Sequence, residues 1–212
     1  AAGSTLLKIN TVGPAPGQYP LIGYTTLGGA AGFDGLSVQA PAGYTATLVN
    51  NTASSPSTID VILTASQLTW NGVPNGDWDI GLTGNWKSSA TYNQVAGVGP
   101  LVLFDDTALG TTTVNLTTTL SPLAITVNNT SLNYTFGGSG KLSGAGGLNK
   151  QGPGTLTLVQ TGVNDYAGTT AVGAGGKLAV GNGGTAGNVG PGPLAVDGTL
   201  EVNRSDSLTL SN

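Results

Sequence analysis

The chain has 212 residues, 36 of them Gly, and carries 6 Lys and Arg against 10 Asp and Glu, a formal net charge of −4. Charged residues make up only 8%, far below the quarter or so of an ordinary soluble domain, yet the 38% hydrophobic content is too high for a disordered chain. The absence of Cys excludes disulfides and thiolate metal centres, the absence of His removes the commonest general base, and the scattered basic residues make no nucleic-acid footprint.

No apolar run approaches the ~18 residues of a membrane span and no signal-peptide pattern is present, so no membrane insertion by this segment is expected. The lack of Met leads us to expect a chain released by cleavage or cut from a longer protein. Few charges with abundant Thr, Asn, Ser and Gly suit an exported protein, extracellular or on a bacterial cell surface.

In chain order, residues 1–64 open with "TLLKIN" (5–10) and continue with "YTATLV" (44–49) and "IDVILT" (59–64). Each is a short alternating run bounded by turn residues, the pattern of a half-buried strand. Residues 65–110 hold "WNGVPNGDWDIGLTGNWK" and read as a connecting segment. Residues 111–212 give "TTVNL", "LAITV", "LNYTF", "TLTLV", "KLAV", "PLAV", "GTLEV" and "LTL". Gly, Pro, Thr or Asn interrupts nearly every window long enough for three helical turns. An all-β chain is predicted.

A Gly-[Lys/Thr]-Leu signal recurs at Gly140 with Leu142, Gly154 with Leu156, Gly176 with Leu178, and Gly198 with Leu200, and the last three are evenly spaced. The spacing from Gly154 to Gly176 to Gly198 is of the length that suits one coil of a parallel β-solenoid (β-helix). Alternating Thr and Leu then face solvent and a narrow interior, with Leu142, Leu156, Leu178 and Leu200 expected in one inward column and Leu116 and Ile125 also inward. Glycines at the corners are expected to supply the positive φ that a sharp bend between faces requires. Residues 1–64 are expected to be packed on the solenoid or continuous with it.

The stretch "GGLNKQGPGTLTL", followed by Asn164, Asp165, Tyr166, Gly168, Thr169 and Thr170 and then "GGKL", resembles the passenger-associated transport repeat (autotransporter-associated β-strand repeat) of bacterial autotransporter passenger domains, over residues 137–181. The resemblance implies a secreted β-helical stalk. "GQYPLIGYTTLGGAAGFDGLSV" resembles a segment that closes such an array, so the chain reads as a window of a longer tandem array. No outer-membrane barrel pattern is present.

Trp70, Trp78 and Trp86 recur every eight residues. Flat indole faces can stack on sugar rings, which makes a carbohydrate-binding module the alternative function; the plainer reading is structural burial at a solenoid turn. Asp77, Asp79, Asp105 and Asp106 carry oxygens of the kind Ca²⁺ takes, but no complete Ca²⁺ loop surrounds them and turn formation is favoured. A polysaccharide-degrading β-helix enzyme ranks third, because paired carboxylates and an activated nucleophile are not evident. We therefore expect no enzyme, catalytic residue, cofactor or metal. Sequons at Asn50, Asn115, Asn128, Asn129, Asn133 and Asn203 read as chance in an Asn- and Thr-rich chain. The expected role is structural or adhesive: a surface stalk or extracellular fibre. Its expected partners are copies of itself or neighbouring repeats joined end to end through residues near 1–10 and 200–212, with surface glycans as the alternative.

Overall fold

The structure, a computed structural model, describes residues 5–9, 16–28, 32–41 and 43–210. The outermost residues of the expected end-to-end joint, 1–4, 10 and 211–212, lie outside the described residues. The chain divides into two compact units, Ala1–Ser66 and Gln67–Asn212.

The first unit has strands β1 (Thr5–Lys8), β2 (Gly17–Tyr24), β3 (Leu36–Gln39), β4 (Tyr44–Asn51) and β5 (Ser57–Ala65). β5 lies between β2 and β4 in an antiparallel sheet, and β1 pairs in parallel with β3. Period-2 alternation along β5 buries Ile59, Val61 and Leu63. Asp60, pointing the other way, is also buried, and accepts hydrogen bonds from Gln18 Nε2, Asn51 Nδ2 and Thr58 Oγ1 at 2.6, 2.9 and 2.6 Å.

The second unit is a parallel β-solenoid. Its strands are β6 (Gln67–Thr69), β7 (Asp77–Trp78), β8 (Gly99–Asp105), β9 (Thr113–Leu116), β10 (Thr119–Leu120), β11 (Pro122–Asn128) and β12 (Tyr134–Gly137). They continue as β13 (Lys141–Leu142), β14 (Leu148–Gln151), β15 (Thr155–Leu158), β16 (Thr170–Val172), β17 (Lys177–Val180), β18 (Leu194–Val196) and β19 (Thr199–Val202). One six-stranded face runs β6-β8-β11-β14-β16-β18, the other β7-β9-β12-β15-β17-β19, and β10 pairs with β13 on a short third face. The ladder thus reaches back to Gln67, and the stretch 65–110, expected as a connector, supplies the first rung and begins the second.

The repeat sets the register. Thr155, Lys177 and Thr199 lie side by side, one repeat apart. The first rung is longer: Gln67 lies opposite Leu101 and Asp77 opposite Asn115, which leaves room between them for an excursion that holds Trp86 and Tyr92.

Leu116, Ile125, Leu142, Leu156 and Leu178 are buried, as the alternation predicts. One expectation needs correction. Leu142 does not share the column of Leu156, Leu178 and Leu200; it stacks on Leu120 on the third face, and Tyr134 takes the place above Leu156. Gly140 falls off the even spacing of the other three glycines, and so lies on a different corner. Corner glycines carry positive φ, as expected, at Gly138, Gly152 and Gly175, each lying just before a repeat glycine. The repeat glycines answer a close approach: a Cβ at Gly154 would sit 2.8 Å from Asn129 Cγ.

Candidate functional site

Once the strands stack, the inner wall of each coil becomes the surface on which the next one sits. Along one column Val114, Phe136, Leu158 and Val180 are fully buried, whereas Val202 on the last described rung is 49% exposed. Leu200 is likewise only partly buried.

At the other end the interior is aromatic. Trp70, Trp78, Trp86 and Tyr92 are no more than 1% exposed. Trp78 meets Trp86 and Tyr92 edge to face at 5.4 Å, and Trp70 meets Trp86 at 5.2 Å. Phe104, Tyr134 and Phe136 extend the cluster into the next coils. Burial raises the Tyr92 and Tyr134 phenol pKa values well above the usual range. The three indoles recur at eight-residue spacing because the chain folds back over itself between them, and no indole face remains on which a sugar could stack.

On the corners and the third face, side-chain amides take over the bonding that backbone supplies elsewhere. Asn164 Oδ1 accepts from Leu142 N at 2.8 Å, and its Nδ2 donates to Asn188 O at 2.8 Å. Asn188 returns Nδ2 to Asn164 O and accepts Asn164 N at Oδ1. Gln160 Nε2 donates to Asn188 O and Oδ1. Asn129, wholly buried at the corner before β12, donates to Leu132 O and Thr155 O. A carboxamide carries the same donor and acceptor as a peptide group, so one side chain can bridge two coils where the strands have ended.

Lys150 is the unexpected member of this set. It sits inward on β14, between Val127 and Val172, fully buried, with Nζ donating to Gln151 O and Gly152 O. Burial pushes its ammonium down to about 8. Among the described residues no carboxylate bonds it. Asp106 stands at the same corner with its oxygens on Thr130, Ser131 and Leu132 N at 2.8–2.9 Å, and those backbone donors, Leu132 foremost, lower its pKa.

The other acids that the sequence singles out bond within turns or across to the next coil. Asp79 accepts from Leu82 N, Thr83 N and the Thr83 hydroxyl; Asp77 accepts from Asn115 Nδ2 at 2.6 Å; Asp105 accepts from Thr107. Among the described residues no three acidic side chains converge on a common point. Of the sequons, Asn129 is buried, while Asn115 and Asn133 bond across to neighbouring coils. Sequence reasoning missed Asn85, Gln94, Lys150 and Asn188, and singled out Asn164 only as part of the repeat motif. The available signal was a lone Lys between Leu148 and Leu156, together with amides clustered where the strands stop.

Residues 148–180 match the passenger-associated-transport-repeat family, a span that covers β14 to β17. No curated protein and no solved structure matched the chain. The matched repeat and the stacked parallel coils around it fit an autotransporter passenger-type β-helix.

Proposed function

We propose that this chain is a segment of an extracellular stalk on a bacterial surface, whose work is to extend and display and whose coils stack end to end with further coils of the same kind. The observation that carries this reading is the register: rungs recur at an even spacing through the matched repeat, with Leu156 over Leu178 and Leu158 over Val180 in the interior. A solenoid of this kind gains length by adding rungs, each buried by its neighbours, without redesign of its core. Low charge adds little repulsion between stacked units. The adhesive and fibre-forming roles belong to the same reading, since the exposed faces of β18 and β19 hold Val196 and Val202 at 41% and 49% exposure.

The test is surface display. Protease added to intact source cells should remove the segment, and immunogold should place it outside the outer membrane. A signal seen only after lysis would overturn the reading. The glycan-binding alternative is not carried further, because the side chains that suggested it are buried.

A further inference from the structure

We propose that residues 79–98 are a cap that closes the solenoid at its first rung and bars a second copy of the chain from adding a coil there, with Asn85 and Gln94 as the side chains that terminate the ladder. The inference rests on the reading of the solenoid as a stacking unit and leaves the β18 and β19 edge as the end open to further coils.

Among the described residues no strand pairs with β6 or β7 on the side away from β8 and β9. In a regular coil such an edge presents unpaired N–H and C=O groups, a template for further strands. Here the chain turns back and occupies the edge at two places. At the corner after β6, the next coil serves the carbonyls: Leu109 N and Gly110 N donate to Asn71 O, and Thr111 N to Gly72 O, at 2.9–3.1 Å. The amides of Asn71 and Gly72 donate to Asn85 O, both at 2.9 Å. The Asn85 side chain completes the closure, with Oδ1 accepting from Asn75 N at 3.0 Å and Nδ2 donating to Asp77 O at 2.8 Å. It is fully buried.

On the third face the device is the same. β10 is paired on one side by β13. Gln94 donates from Nε2 to Thr119 O at 3.2 Å and accepts Ser121 N at Oε1 at 2.8 Å, while Gly99 N donates to Ser121 O at 2.8 Å. One carboxamide thus bonds the strand as a neighbouring strand's peptide would, and offers no further edge. Trp86 and Tyr92 fill the interior beneath, and the turn at Lys87, Ser88 and Ser89 faces solvent. Backbone bonds to Asn85 and Trp86 occupy the places that an incoming strand at this corner would need.

The experiment compares the full 212-residue chain with N85A/Q94A, and with L158A as an interior variant of comparable instability, by sedimentation velocity across a concentration series and by hydrogen exchange. The expected result is that N85A/Q94A reaches half-association at roughly tenfold lower concentration than the parent chain, the size of one to two exposed hydrogen-bonding sites, with new protection at residues 67–78, and that L158A does not. If the double variant fails to fold, Q94E serves in its place: it keeps the side-chain size but sets an oxygen against Thr119 O. Equal association of the parent and the cap variants, or equal gain in L158A, would overturn the cap. Whether the parent chain itself assembles is read in the same runs and bears on the stalk reading separately, because the cap is judged by the difference between variant and parent.

Discussion

Leu156 and Leu200 occupy the same column two rungs apart, yet one is fully buried and the other only partly. Removing side-chain volume costs transfer free energy plus an unfilled cavity, about 2–5 kcal/mol for a buried Leu→Ala. Leu156→Ala is expected in that range and Leu200→Ala well below it, read as denaturant midpoints at unchanged slope. Lys150 makes a different residue-scale prediction. Its folded pKa of about 8 lies below the ordinary 10.5, so between those values the unfolded chain binds more protons than the folded one, and stability must rise with pH across that window. Below it the ammonium is charged in both states and contributes no slope. Unfolding free energy measured from about pH 7 to about 9, below the range in which the tyrosines of the unfolded chain ionise and reverse the slope, should climb in the parent chain and lose that component in Lys150→Met; a slope retained in the variant would show that another group titrates.

At the scale of the element, Gly175 and Gly154 divide between them two demands that Gly138 and Gly152 each meet at once, positive φ and a close approach by the neighbouring coil. Gly175 has φ of +76° and open space where a Cβ would sit, whereas Gly154 has an ordinary φ and Asn129 in the way. Gly175→Ala should cost about 1–2 kcal/mol from backbone strain alone, and Gly175→Asn less, because Asn tolerates the left-handed region. Gly154→Ala and Gly154→Asn should both be costly, with no relief from Asn, and the midpoints of the four variants check the pattern. This division also explains what the sequence left unread. The even repeat and the alternation of Thr155 to Leu158 follow from side-chain chemistry along the chain, and so were legible. Which glycine twists and which yields space depends on the neighbouring coil, which no local pattern encodes. β14 and β8 give no strand signal: the inward Lys150 breaks the apolar alternation of β14, and in β8 Leu101 and Leu103 face outward between inward Val102 and Phe104, which erases the period-2 pattern. The Trp cluster was visible as spacing and its burial was the plainer reading, but the fold-back of residues 79–98 that accomplishes the burial was not legible.

For the whole molecule, the decisive quantity is where the buried apolar surface lies. The large core cluster runs from Trp70 to Val189 and draws only on the second unit. In the first unit the buried hydrophobic side chains among the described residues are Tyr44, Ile59, Val61 and Leu63. A domain of about 60 residues is marginal even with a full core, because surface grows relative to volume as chains shorten. Four such side chains offset little of the ordering entropy, which runs to about 1–2 kcal/mol per residue. The fragment 67–212 should therefore keep cooperative unfolding, Trp emission from a buried environment and slow exchange at the amides of β11, β12, β14 and β15. Those strands are flanked on both sides by others. The fragment 1–66 should show weak, non-cooperative melting by circular dichroism. A sharp two-state transition in the short fragment, or a collapse of the long one without it, would show that stability is distributed otherwise than the core cluster indicates. The aromatic plug of Trp70, Trp78, Trp86 and Tyr92 supplies the reason to expect the long fragment to stand: it fills the first rung from within, so the ladder that starts at Gln67 finds its packing in residues that follow it in the chain.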